Sequence, residues 1–339
     1  MAKKTSGATL GKMCGKIAKE YLKRFPNTPS LTLAKKMYSE NKETFKDIDD
    51  ARQKIRYYRG QQGEAKRKSL ATKEFLKDSG SRNPFEFLQE SHADTFEPFI
   101  ISQSRVLNIS DLHFPYQHND AIKKALQYGI ENDANCILIN GDLIDFAGIS
   151  RHEKDWRQRS IKIELDSVKS FLKGLRGLFP EARIVWKYGN HDERWEKYLF
   201  LKAPELFDTD EFQLEVIFKL AELGIEVVKD KRPVRIGKLT VLHGHELAGG
   251  SGGVNPARAT FLKTLDSVIV GHYHKTSQHT ETTMLGDVIS VESQGCLCGM
   301  TPYYMPINKW NLGFSFIEHD VKTGEYHLHN KKIIKGKVY

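Results

Sequence analysis

Five short apolar runs in this chain each end in a polar motif rich in aspartate, histidine and glycine. Their composition is typical of buried β-strands, and helical patterns separate several of them. The predicted strands are Arg105–Ser110, Cys136–Asn140, Arg183–Lys187, Leu239–Leu242 and Val268–Val270, and the predicted helices are Asp120–Glu131, Ile161–Leu178 and Glu211–Leu223. This alternation indicates an α/β fold, in which polar residues at the carboxyl ends of the strands meet at one edge.

The motifs that follow these strands carry ligands for two divalent cations. They are Asp111-Leu112-His113, Gly141-Asp142-Leu143-Ile144-Asp145, Gly189-Asn190-His191-Asp192, His243-Gly244-His245 and Gly271-His272-Tyr273-His274. A mixture of carboxylate, amide and imidazole favours manganese, iron, nickel or zinc over magnesium or calcium. Any one motif alone also fits a structural role such as a strand-end cap. All five together predict a two-metal hydrolase site.

The five motifs resemble those of the calcineurin-like metallophosphoesterase superfamily, which are D-x-H, G-D-x-x-D, G-N-H-[DE], H and G-H-x-H. The resemblance covers roughly residues 101–300. It implies an α/β fold of four layers, a sandwich of two mixed β-sheets flanked by helices, with the site at one rim. It also implies a metal-dependent phosphoric ester hydrolase.

The resemblance assigns a role to each motif residue. The implied metal ligands form two sets that share one carboxylate: Asp111, His113 and His274 for one ion, Asn190, His243 and His272 for the other, and Asp142 as the bridge together with a hydroxide. His191 would contact the scissile phosphate and protonate the leaving oxygen, and Asp145 would hydrogen-bond His191. We expect manganese in both positions, with iron, nickel or zinc as alternatives.

Residues beside the motifs bear on the substrate. Protein Ser/Thr phosphatases of this superfamily carry an arginine after the second aspartate of the second motif, where this chain has Phe146. They also favour glutamate where this chain has Asp192, which we interpret as a local cap or as a residue that supports the ligands from behind. Candidate substrate contacts are Arg151, Arg194 and His245. The two arginines would otherwise be surface charges, and His245 would otherwise orient His243 or pack.

The excess positive charge lies in the first 80 residues, which hold 20 Lys and Arg against 9 Asp and Glu. Apolar spacing predicts three helices over 14–60, and the third presents Arg52, Arg56 and Arg59 on one face. The unit resembles a helix-turn-helix domain whose third helix contacts nucleic acid, DNA rather than RNA. An arginine fork suits phosphates and guanine edges. A solvated basic face, a protein-docking unit or a homo-oligomerisation unit remains open.

We therefore divide the chain into a basic helical domain at 1–60, a charged linker at 61–98 and a metallophosphoesterase domain at 99–339. The leading hypothesis is a phosphodiesterase or nuclease that acts on DNA through a metal-bridging hydroxide, with the basic domain as a tether. The alternatives are a phosphomonoesterase for proteins or small molecules, a cyclic-nucleotide phosphodiesterase, and a DNA-binding regulator without catalysis.

The cysteines and the apolar content bear on the cellular setting. Cys14, Cys136, Cys296 and Cys298 fit neither a disulfide framework nor a four-cysteine zinc site, which favours a reducing, cytoplasmic setting. No apolar stretch approaches the length of about 18 residues that a membrane span needs. We therefore expect neither a signal peptide nor membrane association. The combination of domains resembles enzymes of phages or other mobile DNA.

Overall fold

The computed structural model of the chain describes residues 7–76, 88–91, 96–150, 160–249 and 252–339. By its internal contacts the chain divides into two compact units, Met1–Asp94 and Thr95–Tyr339. None of the helices within those described ranges is long and apolar enough to cross a membrane.

The N-terminal unit consists of helices around one apolar core. They are α1 (Gly7–Arg24), α2 (Ser30–Glu40), α3 (Ile48–Tyr58) and the short α4 (Glu64–Lys68). Ala18, Leu33 and Ile55 are fully buried in this core. Asp47 precedes α3, and its carboxylate accepts a hydrogen bond from the amide of Asp50 over 2.7 Å. This cap satisfies one of the free amides at the start of the helix.

Arg59 does not lie on the exposed face that the sequence pattern predicts. Its side chain is 2% exposed, and its guanidinium donates to the carbonyl of Pro26 over 3.1 Å and to the hydroxyl of Ser30 over 2.9 Å. Arg59 follows Ile55 by four residues and therefore shares the apolar face of α3. Its charge anchors the turn between α1 and α2, which corrects the predicted contact between Arg59 and nucleic acid.

The second unit is built on two mixed β-sheets. The seven-stranded sheet, in the order β13-β12-β11-β2-β3-β4-β5, contains β2 (Arg105–Ile109), β3 (Cys136–Asn140), β4 (Arg183–Lys187), β5 (Ile225–Val228), β11 (Leu312–His319), β12 (Tyr326–Ile334) and β13 (Lys337–Val338). The six-stranded sheet, in the order β1-β6-β7-β8-β10-β9, contains β1 (Phe99–Ile101), β6 (Val234–Ile236), β7 (Leu239–Leu242), β8 (Val268–Val270), β9 (Ser277–Thr282) and β10 (Val288–Ser293).

Apolar side chains pack between the two sheets, with Val106 and Leu138 from one and Val241 and Ile269 from the other. The helices of this unit are α5 (Asn119–Glu131), α6 (Ile161–Leu178), α7 (Arg194–Lys202), α8 (Leu214–Ile217) and α9 (Pro256–Thr264). Helices α5 and α6 cover the outer face of the seven-stranded sheet, and α9 packs on the six-stranded sheet. These layers match the fold that the sequence motifs imply.

A buried polar network also joins the sheets. The amide of Asn108 on β2 donates to Gln294, which follows β10, and to Ser315 on β11, each over 2.9 Å. All three side chains are fully buried. Because a buried donor without a partner costs about 1–3 kcal/mol, this network favours one alignment of the two sheets.

One predicted helix is wrong. The α-helical part of the segment 211–223 is only the single turn of α8, which follows a 3-10 turn at Asp210–Phe212 and precedes further turns. Lys219 has a left-handed φ of 55°, and the amide of Leu220 donates to the carbonyl of Glu215 over 2.9 Å. This turn brings both Phe218 and Leu220 into the core, which a straight helix would not do.

Candidate metal centre

The five polar motifs follow the carboxyl ends of β2, β3, β4, β7 and β8. Three of these strands belong to the seven-stranded sheet and two to the six-stranded sheet. The predicted ligands therefore come from both sheets. Those with a left-handed backbone, with φ between 50° and 64°, are Asp111, His113, Asp142, His272 and His274. Such conformations cost about 1–3 kcal/mol each and concentrate at functional sites.

Asp142 lies between the two predicted ligand sets. Its Oδ2 is 3.3 Å from Nε2 of His243 and 3.7 Å from Nε2 of His113. Burial alone would raise the pKa of Asp142, but the neighbouring imidazoles, His243 first, hold it well below its usual value. The carboxylate is therefore ionised and can accept two cations at once.

The first predicted set converges closely. Nε2 of His274 lies 3.2 Å from Oδ1 of Asp111 and 3.3 Å from Nε2 of His113. Sγ of Cys298, which the sequence pattern did not single out, lies 3.8 Å from Nδ1 of His274. Two imidazole nitrogens that face each other beside a buried carboxylate are a donor set that a cation would hold together.

The second set is arranged in the same way. Nε2 of His243 is 3.3 Å from Oδ1 of Asn190, and ligand atoms of Asp142, His243 and His272 lie within 4.8 Å of one another. The donor atoms of the two sets thus fit two divalent ions with Asp142 between them.

The far nitrogens of two of these histidines are held by hydrogen bonds. Nδ1 of His243 is 2.8 Å from the carbonyl of Asn140, and Nδ1 of His113 is 3.0 Å from Oδ1 of Asp145. Hydrogen bonds of this kind fix the tautomer and direct Nε2 toward a metal.

Asp192 links the second and third motifs. Its carboxylate accepts hydrogen bonds from the amides of Gly189 over 2.7 Å, Asp142 over 2.8 Å and Leu143 over 3.0 Å. It is fully buried. Only the contact with Gly189 is local, and the other two reach the second motif, so Asp192 supports the loop that carries Asp142.

Two glycines allow the motifs to pack closely. A Cβ atom at Gly141, whose φ is +84°, would lie 2.2 Å from Nδ1 of His243. One at Gly189 would lie 2.3 Å from Oδ1 of Asp142. Both glycines are therefore required by the distance between the loops.

His191, Asp145 and Arg194 form an array beside the predicted ligands. Nδ1 of His191 lies 2.9 Å from Oδ1 of Asp145, as predicted, and the ring packs edge-on against His113 with centroids 4.4 Å apart. Arg194, the first residue of α7, donates to the carbonyl of Asp145 over 2.7 Å and to Nε2 of His191 over 3.0 Å. Arg194 is thus at the site, whereas Arg151 lies outside the described residues.

His245 belongs to a second buried network behind His243. Its Nε2 lies 3.0 Å from Oε1 of Glu193. Glu246 accepts from the amide of His243 over 2.9 Å and pairs with Lys187 over 2.7 Å. Burial would raise the pKa of Glu246, but Lys187 and the neighbouring histidines lower it to about 2. These contacts favour an orienting role for His245. The sequence held one sign of this buried network, which is the charged Lys187 at the end of an apolar strand.

Comparison with known proteins agrees with this geometry. Residues 104–281 match the model of a family described as calcineurin-like phosphoesterase. The Gene 54 proteins of Mycobacterium phages L5 and D29 are 27% and 28% identical to this chain over 183 and 181 residues, which are 50% of the chain and 69% of each relative.

Solved structures also show similarity. Vps29 of Entamoeba histolytica matches with 16% identity and a TM-score of 0.36, over 69% of this chain and 96% of that one. The nuclease MPE of Pseudomonas putida matches with 12% identity and a TM-score of 0.32, over 62% and 83% of the two chains. Identities this low do not transfer a substrate.

Proposed function

The chain belongs to the calcineurin-like phosphoesterase family, and we propose that it is a metal-dependent phosphodiesterase that cleaves DNA. The observation that carries the proposal is the guanidinium of Arg194 beside His191. Phe146, at the position where protein phosphatases of the family carry a further arginine, is buried and stacks on Trp195 with centroids 5.7 Å apart. A phosphodiester has one negative charge and needs fewer cationic contacts than a monoester.

The site residues support in-line hydrolysis. When bound, two divalent ions supply Lewis acidity and lower the pKa of a water molecule that attacks phosphorus. Asp142 would hold both ions, because its carboxylate lies between the two ligand sets. Arg194 would donate to a phosphoryl oxygen. His191, whose Nδ1 lies beside Asp145, would donate to the leaving oxygen from Nε2 once that nitrogen is protonated and no longer accepts from Arg194.

The N-terminal unit supports a nucleic-acid substrate through its charge. Arg56 on α3 is exposed and Arg52 is half-buried. Helix α4 adds Lys66 and Lys68, both exposed. We propose that these side chains bind DNA phosphates, which would raise the local substrate concentration and make binding depend on salt.

The first test compares wild type with His191→Ala in the manganese-dependent cleavage of labelled single- and double-stranded DNA. We expect cleavage by the wild type and its loss in the variant. Hydrolysis of bis-p-nitrophenyl phosphate and p-nitrophenyl phosphate is measured in parallel. Hydrolysis of the monoester alone, with no cleavage of DNA, would favour a phosphatase and contradict the proposal.

A second test concerns the tether. Arg52→Ala combined with Arg56→Ala should weaken DNA binding and reduce the slope of log K against log salt by about 1 per lost phosphate contact. The control is Lys322→Ala combined with Lys337→Ala, two exposed lysines of the other unit. Equal binding by both double variants would mean that α3 is not the contact surface.

A further inference from the structure

A loop of residues 300–310, here named the aromatic loop, is held by a backbone hydrogen bond at each end, and one of these bonds reaches the candidate metal centre. Before it, the amide of Gly299 donates to the carbonyl of Tyr116 over 2.7 Å. After it, the amide of Asn311 donates over 2.9 Å to the carbonyl of His274, a predicted metal ligand. The position of the loop is thereby tied to the position of the metal centre.

Asn308 fixes the conformation of the aromatic loop. Its side-chain amide donates to the carbonyls of Met300 over 2.8 Å and Met305 over 2.9 Å. Its Oδ1 accepts from the amide of Trp310 over 3.0 Å. The loop is therefore organised before a substrate arrives, which reduces the entropy lost on binding.

The loop presents aromatic rings at the site. Trp310 packs against His274 with ring centroids 4.2 Å apart, and the ring of Tyr304 stands 6.5 Å from that of Trp310. Tyr304 is 60% exposed. Tyr304 is thus one ring away from Trp310, which itself packs against a predicted metal ligand.

We propose that Tyr304, supported by Trp310, stacks on the nucleobase next to the scissile phosphate, so that the substrate is a strand whose bases are unpaired. The inference rests on the proposed function and specifies its substrate. Arg194 and the predicted ligands set the place of the phosphate, and a base lies one sugar away from it. A base inside a duplex does not offer its face to a protein ring without the cost of extrusion.

The experiment measures competition with the hydrolysis of bis-p-nitrophenyl phosphate by the full-length, manganese-loaded protein. The inhibitors are thymidine 5′-monophosphate and 2-deoxyribose 5-phosphate, which share the phosphate and differ in the base. Because bis-p-nitrophenyl phosphate also carries aromatic rings, its KM is measured for each variant. The inhibition constants are then calculated with the KM of that variant. Wild type should bind the nucleotide more tightly than the sugar phosphate.

The variants are Tyr304→Leu, Tyr304→Phe and the control Tyr339→Leu, whose side chain is 62% exposed at the other end of the chain. Tyr304→Leu should weaken inhibition by the nucleotide roughly 5- to 100-fold. It should leave inhibition by the sugar phosphate unchanged. Tyr304→Phe keeps the ring face and should behave as wild type, and so should the control.

Three results would overturn the stacking proposal. They are the absence of a preference for the nucleotide in wild type, an equal loss in Tyr304→Phe and Tyr304→Leu, and an equal loss in the control. The two proposals fail separately. A protein that prefers the nucleotide through Tyr304 but leaves DNA intact would keep the stacking site and contradict the nuclease. Cleavage of DNA by a protein that does not prefer the nucleotide would support the nuclease and contradict the stacking site.

Discussion

Arg194 donates a hydrogen bond from its guanidinium to Nε2 of His191 over 3.0 Å. A guanidinium has no acceptor, so Nε2 carries the lone pair and the ring proton is assigned to Nδ1, beside Asp145. A substrate oxygen that takes the place of Nε2 as acceptor would bring the phosphate into contact with both residues. Binding of the phosphate to Arg194 would thereby free Nε2 of His191 to take up a proton.

Arg194→Lys should lower kcat/KM for bis-p-nitrophenyl phosphate by roughly 10- to 100-fold, because a lysine cannot contact Asp145, His191 and phosphate with one planar group. Metal content, measured by elemental analysis, should not change. Lys202→Gln, at the exposed end of the same helix, is the control. A rate for Arg194→Lys equal to that of wild type would show that the guanidinium of Arg194 does not contribute to phosphate binding.

Asp145→Asn and His191→Gln should differ in their effect on metal content. Asp145 contacts His113, a predicted ligand, as well as His191. The Asp145→Asn variant should therefore have a metal affinity lower by about 10- to 100-fold, and a lower rate. His191→Gln should keep both ions and lose roughly 10²–10⁴ in rate. Metal-to-protein ratios after dialysis, measured beside turnover, check both. Loss of the ions from His191→Gln would make His191 a ligand.

Gly189→Ala should abolish metal binding or destabilise the protein, since its Cβ would lie 2.3 Å from Oδ1 of Asp142 and 2.5 Å from its backbone nitrogen. Gly174→Ala is the matched control in α6, where a Cβ would meet nothing within 4 Å. The control should be stabilised by about 0.5–1 kcal/mol, because alanine is the better helix former. Thermal unfolding measures both changes, and equal shifts would contradict the steric argument.

Glu164→Gln should remove a pH dependence of stability. Glu164 is fully buried, and the backbone of Phe146 and Ala147 lowers its pKa less than burial raises it. Burial, and after it the charge of Asp145, raises the pKa of Glu164 from 4.5 to about 8. The folded state keeps a proton that the unfolded state loses, so stability present below pH 4.5 is lost as the pH rises to about 8.

At pH 9 the Glu164→Gln variant should exceed wild type on the order of a few kcal/mol in the free energy of unfolding, and at pH 4 the two should be equal. Denaturant unfolding across this range gives both values. The exposed Glu181→Gln should follow wild type at each pH. Parallel curves for Glu164→Gln and wild type would show that the folded and unfolded states bind this proton equally, which would contradict the raised pKa.

The strands that carry the site were predictable because a short apolar run followed by a polar motif has few other structural interpretations. Cys136–Asn140 and Arg183–Lys187 have the predicted bounds. The helix α9 was missed although Asn255 caps it and Pro256 opens it, a recognised start signal. Its nine residues are too short for a strong apolar period.

The side-chain contacts were less accessible to sequence reasoning. The spacing of Arg52, Arg56 and Arg59 suggests one face, yet Arg59 also shares the face of Ile55, and only the packing of α1 and α2 decides which face is buried. Likewise, the pairing of Asp145 with His191 was implied by the resemblance, but its second contact with His113 required coordinates.

The candidate ligands come from strands of both sheets, so folding and ion binding are linked thermodynamically. An ion that binds the assembled site and not the unfolded chain shifts the equilibrium toward the folded state. Each tenfold rise in free ion above the dissociation constant adds about 1.4 kcal/mol of stability per site. The metal supply of the cell would therefore determine the lifetime of the folded protein as well as its catalytic rate.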